Sequence, residues 1–134
     1  MKTHSRPLTD PEREIVDAAG LELGKVVLAL RSVVLTIHPD ATIVAWPRLR
    51  IISFGLGPRK ISEHYAFVDV HRSYVNLGLY HGVALSAAGF ELEGTGKALR
   101  HLKVNSVAQS STADVSKLVR AALQHQIRLL KNAA

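Results

Sequence analysis

The chain contains no cysteine. That excludes disulfides, thiolate metal sites and a cysteine nucleophile together. It also fits a reducing compartment, so a cytoplasmic location is expected. Aromatic residues are scarce, at 5% of 134 residues, with a single Trp. Long apolar runs are missing too. The longest, Val26 to Ile37, is interrupted by Arg31 and Ser32 and is too short to span a bilayer. Met1 to Asp10 hold Lys2, His4, Arg6 and Pro7 with no apolar segment behind them, so neither a signal peptide nor a membrane partner is expected. There is no internal repeat, no low-complexity linker and no run of five or more basic residues.

What is present is ordinary for a globular chain: 47% hydrophobic and 21% charged residues. The length fits one domain, with residues 1–9 read as a flexible tail and 10–134 as the domain. A chain of this size buries roughly two-thirds of its unfolded surface and needs no staple. Seventeen Lys and Arg against eleven Asp and Glu leave a net charge of +6. Such a charge attracts nucleic acid or anionic lipid weakly. The basic residues are dispersed, so a solvated basic surface is expected rather than a nucleic-acid site.

Thr9 and Glu12 have capping-box spacing, and Pro11 suits a first helical turn. A helix from Asp10 is predicted, with a break around Leu21–Gly24. A second helix, about 23–37, carries Leu23, Val26, Val27, Leu30, Val33, Val34 and Ile37 at three- and four-residue steps. That arc is wide, so most of this helix should be buried. Pro39 and Asp40 end it.

The period then drops to two. Arg50–Phe54 reads as a strand. In His64–His71, the residues His64, Ala66, Val68 and Val70 alternate with Tyr65, Phe67, Asp69 and His71. In Tyr74–Tyr80, the residues Val75, Leu77 and Leu79 alternate with Tyr74, Asn76, Gly78 and Tyr80. Arg72-Ser73 joins these two strands as a hairpin. Leu99–Val104 is a further strand, with His101 and Lys103 outward. A last helix from Ser111 or Thr112 carries Val115, Leu118, Val119, Ala122, Leu123, Ile127 and Leu130. Together these predict an α+β two-layer sandwich: an antiparallel sheet of four to five strands flanked by N- and C-terminal helices, with its other face open.

Several motifs resemble those of the YdhG-like family, a domain family of unknown function. They are His38-Pro39-Asp40-Ala41, Ile52-Ser53-Phe54-Gly55, Tyr65-Ala66-Phe67-Val68, Val75 to Gly82, and Leu92 to Val104. The resemblance covers about residues 23–125. It implies an α+β fold with an antiparallel sheet. Some members of that family carry a frataxin-like iron-chaperone label, so the resemblance implies a metal-chaperone alternative. It brings no agreed catalytic residues.

Gly94-Thr95-Gly96-Lys97 suggests a phosphate-binding turn, because glycines let backbone N–H groups converge on an anion. The Walker pattern is not met: Glu91 stands where it needs glycine, and Ala98 where it needs Ser or Thr. A tight turn is the simpler reading. Histidines 64, 71, 81 and 101 lie on or beside strands, but alternation splits them between two faces, which argues against a metal site. The acidic residues are scattered, and no serine sits in a nucleophile elbow. No catalytic residue, metal site or cofactor is expected. The site expected is the open face and its neighbouring turn: Tyr65, Phe67, Asn76, Tyr80, Gly94, Thr95, Gly96, Lys97, Arg100, His101 and Lys103, with Asp69 beside them. Aromatic rings beside cations suit a small anionic ligand or a protein partner, a second copy included.

Overall fold

Thr9 and Glu12 cap the first helix reciprocally, as their spacing predicts. The Glu12 N–H donates to the Thr9 hydroxyl, and the Thr9 N–H donates to the Glu12 carboxylate at 2.8 Å. This helix, α1, runs Asp10–Ala19. It stops at Gly20, whose φ of 89° favours glycine. The next helix, α2, starts at once and runs Leu21–Ile37. The break is therefore one residue, earlier and sharper than predicted. Gly24 allows α1 and α2 to pack closely, since a Cβ there would lie 2.9 Å from the Val16 carbonyl oxygen.

The computed structural model describes residues 5–133. The expected flexible tail falls partly outside them, at residues 1–4. Within the described residues, Arg6 and Pro7 bond to the domain. Arg6 Nη1 donates to Ala41 O at 2.8 Å, and the carbonyls of Arg6 and Pro7 accept from Arg31.

Five strands follow: β1 (Thr42–Trp46), β2 (Ile51–Gly55), β3 (His64–Val70), β4 (Val75–Leu79) and β5 (Arg100–Val104). They form one antiparallel sheet in the order β1-β2-β3-β4-β5, so each strand pairs with its neighbour in sequence. The pattern of β1 was not among the predicted strands. Short helices α3 (Lys60–Glu63), α4 (Gly82–Ala87) and α5 (Val107–Ser110) lie in the connections, and α6 (Ala113–Ala133) closes the chain. Glu93 extends the sheet by one bridge: its N–H and C=O both bond the backbone of His101 on the outer edge of β5.

Residues directly opposite in an antiparallel pair share a face. One set is Ile43, Phe54, Ala66 and Leu79, then Ala45, Ile52, Val68, Leu77 and Leu102, then Val70, Val75 and Val104. These apolar side chains form one core with Ile15 of α1, Val26, Val27, Leu30 and Val34 of α2, and Val115, Leu118, Val119 and Ala122 of α6. Fully burying one such Leu or Val contributes about 1.5–3 kcal/mol. All three long helices thus cover the same side of the sheet, giving the predicted two-layer α+β sandwich. Most of α2 is buried, Arg31 and Ser32 included.

Two expectations about side-chain direction fail. Tyr65 lies on the helix side, 1% exposed, with its hydroxyl 2.8 Å from His38 Nδ1. His64 lies on the other side. The cause is a bulge: Phe54 pairs with Ala66 and Gly55 with His64, so one extra residue, Tyr65, reverses the alternation there. In α6 the buried stripe reaches Gln126, which donates to Ser62 O at 2.6 Å, whereas Ile127 is 41% exposed. The last turns of α6 run past the end of the core.

Candidate functional site

The face of the sheet away from the helices carries three rows of side chains. Across the middle run Val44, Ser53, Phe67, Gly78 and His101. Beside them run Trp46, Ile51, Asp69, Asn76 and Lys103, and on the other side are Thr42, Gly55, His64 and Tyr80. His71 and Tyr74 continue β3 and β4 at the hairpin end, on the same parity as Asp69 and Asn76.

Ser53 holds one end of this face together. Its Oγ lies 2.6 Å from His64 Nδ1 and 2.8 Å from the Tyr80 hydroxyl. Burial lowers the His64 pKa below 6.5, opposed by the Gly57 backbone and by Glu63 and assisted by Lys60. The imidazole is therefore neutral near pH 7. Burial raises the Tyr80 pKa, opposed by its bond to Ser53, so the phenol keeps its proton. One proton arrangement satisfies both contacts: Tyr80 O–H donates to Ser53, and Ser53 O–H donates to His64 Nδ1. His64 Nε2 is buried and has no hydrogen-bond partner among the described residues, though the nearby Gly57 backbone favours the protonated ring. Ser53 and His64 are fully buried, so Ser53 offers no surface for a substrate to reach. The chain of hydroxyls fixes the Tyr80 ring, which packs 4.8 Å from Phe67. Phe67 in turn lies over Gly78, where a Cβ would overlap its ring.

The hairpin end carries a second cluster. His71 Nε2 lies 3.0 Å from Asp69 Oδ2, and its ring stacks on Tyr74 with centroids 4.8 Å apart. Lys103 Nζ sits 4.5 Å from the Tyr74 ring centre on the other strand pair. Asn76 Nδ2 lies 3.2 Å from His71 Nε2, while Asn76 Oδ1 is buried without a partner. The Asp69 carboxylate requires a proton on His71 Nε2, so an Asn76 N–H there would oppose another donor. Turning the amide by 180° gives His71 N–H an acceptor and moves Nδ2 into the buried place of Oδ1. At the far edge Lys60 Nζ sits 4.9 Å from the Trp46 ring centre.

The structure brings together Phe67, Asp69, Asn76, Tyr80, His101 and Lys103 on the open face, as their alternation predicts. Tyr65 does not join them. Arg100 has the parity of Leu79 and so starts on the helix side. Its guanidinium donates to Gly96 O at 2.6 Å and Leu99 O at 2.7 Å, which engages it in its own turn. Gly94, Thr95, Gly96 and Lys97 form an exposed turn beyond the β5 edge, with φ at Gly94 of 126°. Glu93 links the turn to the face through His101, with Oε2 3.5 Å from Nε2. Arg100 thus holds the Gly96 carbonyl of this turn and the Leu99 carbonyl that follows it.

Sequence reasoning left out Ser53, His64, Trp46 and Tyr74. For Tyr74 the signal existed, since it alternates with Asn76. For the other three it depends on cross-strand register and on the bulge, which side-chain spacing along one strand does not carry.

Among the described residues, no three His, Asp or Glu side chains gather where they could hold a metal ion. His81 and His125 approach within 5.3 Å, centroid to centroid, between β4's end and α6. Among the described residues no helix is long and apolar enough to cross a membrane. Comparison with protein-family models, with curated proteins and with solved structures gave no match to this chain.

Proposed function

We propose that this chain is a non-catalytic binding module that docks a protein partner on the uncovered sheet face. One observation carries the reading: three long helices stand on one side of the sheet, while Trp46, Phe67, Tyr74 and Tyr80 all stand on the other. In a chain with so few aromatic residues, that is most of the supply.

The rings are held in place by hydrogen bonds and stacking before any partner arrives, which lowers the ordering penalty of binding. Lys60, Lys103, His71 and His101 stand among them. Asp69 is already occupied by His71. The chemistry suits a partner with an apolar centre and a carboxylate rim, in keeping with a net charge of +6. Five strands spaced about 4.8 Å apart and some five residues long make a platform of roughly 300 Å². A stable interface needs about 800 Å² per partner, so the face fits a transient contact better than a permanent homodimer.

Kinship with the YdhG-like family is retained as a proposal. Its support is the resemblance of motifs together with an α+β fold of the kind they imply. The frataxin-like metal alternative finds less: Glu12, one of the few N-terminal carboxylates, points inward to Arg31 and is 0% exposed.

The test places a photo-crosslinking amino acid at Lys103 on the face, and separately at Leu21 on the helix side. The expected result is one protein adduct from position 103 and none from 21. The purified partner should then bind Lys103→Glu at least about ten-fold more weakly than wild type, the melting temperature being unchanged. Equal adducts from both positions, or unchanged affinity of Lys103→Glu, would remove the reading.

A further inference from the structure

We propose a second, separate binding site in the cleft between α2 and α6, for a small organic phosphate. It does not depend on the sheet face.

The cleft measures about 340 Å³, within the range of small-molecule sites. Two helices face each other across it with matched spacing. From α2 come Ser32 and Thr36, one turn apart. From α6 come Ser116 and Arg120, also one turn apart. Positions i and i+4 share a helix face, so each wall presents a polar pair. Val33 and Ile37 supply apolar lining beside them.

The donors in this cleft outnumber their uses. The hydroxyls of Thr36 and Ser116 and the guanidinium of Arg120 have no hydrogen-bond or ion-pair partner among the described residues. The Ser111 hydroxyl, at the rim, donates to Val107 O at 3.0 Å. No carboxylate lines the cleft. Asp114, the nearest acid on α6, lines a different cleft with Phe90 and Leu102. A cation with two hydroxyls and no opposing acid is the chemistry that recognises a phosphate, and a guanidinium can engage two of its oxygens at once. The apolar residues leave room for an organic body attached to that phosphate.

The probe is phenyl phosphate, titrated at fixed ionic strength into the full chain and followed by two-dimensional amide NMR. Saturable shifts are expected at residues 32–37 and 111–120. Inorganic phosphate should bind more weakly, because it lacks the apolar body. Arg120→Ala should weaken phenyl phosphate at least about ten-fold, since it removes a charge-assisted bond. Lys117→Ala removes the same charge from an exposed position outside the cleft and should change affinity by less than about two-fold. Arg120 is exposed, so its variant should keep the wild-type melting temperature. The proposal is overturned by no saturation below about 10 mM, by equal loss in Lys117→Ala, or by principal shifts at Lys97 and Lys103.

Discussion

Arg31 and Glu12 form an ion pair inside the protein: Nε lies 2.7 Å from Oε1, with side chains 3% and 0% exposed. The remaining atoms are also satisfied. Arg31 donates to the carbonyls of Arg6 and Pro7, and the second Glu12 oxygen accepts from the N–H and hydroxyl of Thr9. One pair thus ties α1, α2 and the segment before them together. Removing one partner strands a buried charge, which costs about 3–5 kcal/mol. Glu12→Gln and Arg31→Met should each show such a loss in urea unfolding, and the double variant should lose less than the sum. Losses under about 1 kcal/mol in both single variants would contradict this account.

Gly78 and Phe67 make a second testable pair. A methyl group on Gly78 would enter the space of the Phe67 ring. Gly78→Ala should therefore destabilise the fold by about 1–3 kcal/mol, as overpacking does. Phe67→Ala added to it should recover part of that loss. An additive double variant would show that the ring does not rest on the glycine.

Ser53→Ala should cost about 1–3 kcal/mol, because it leaves His64 Nδ1 without its donor and Tyr80 without its acceptor. Ser53→Thr keeps the hydroxyl and should lose less. The readout is the unfolding midpoint in urea. An unchanged midpoint in Ser53→Ala would show that the network adds nothing to the fold.

Acid should weaken the fold through its histidines. Burial is the largest cause lowering the pKa of His38, His64 and His125 below 6.5. Asp40 opposes the shift at His38, while His81 and Arg128 add to it at His125. Below 6.5 the unfolded chain binds protons that the native state refuses, so stability is fully present above that pH and declines beneath it. At His38 the Tyr65 hydroxyl, 2.8 Å from Nδ1, holds the ring in its buried place. Urea midpoints measured from about pH 7 to about pH 5 should fall, and fall less steeply in His64→Gln. Parallel slopes would show that His64 takes no part.

Much of the architecture was legible because local signals agreed with the packing. The Thr9–Glu12 box starts α1 as read, and the broad arc on α2 is buried as read. The alternation of Val75, Leu77 and Leu79 sorts β4 correctly. Other features needed information from distant residues. Thr42–Trp46 is short, apolar and only half-buried, so neither period shows in it. Arg31 looked like an interruption of an apolar run, and only Glu12, nineteen residues earlier, explains its burial. His64 and Tyr65 exchanged sides because a bulge depends on the pairing of β2 with β3. The face itself was visible in the parity of Phe67, Asn76 and Lys103, whereas its buried anchor, Ser53 with His64, was not.

The neighbour-to-neighbour order of the strands has a kinetic consequence. Three of the four strand pairings close over short connections, whereas β4 and β5 are separated by residues 80–99, so loop-closure entropy is small for the first three. During synthesis the strands can zip in the order in which they emerge. The core then stays half-roofed until α6, which follows the sheet in sequence, settles beside α2. Chains cut short before residue 113 should therefore leave uncovered the part of the core that Val115, Leu118, Val119 and Ala122 of α6 close, and present that apolar surface to chaperones.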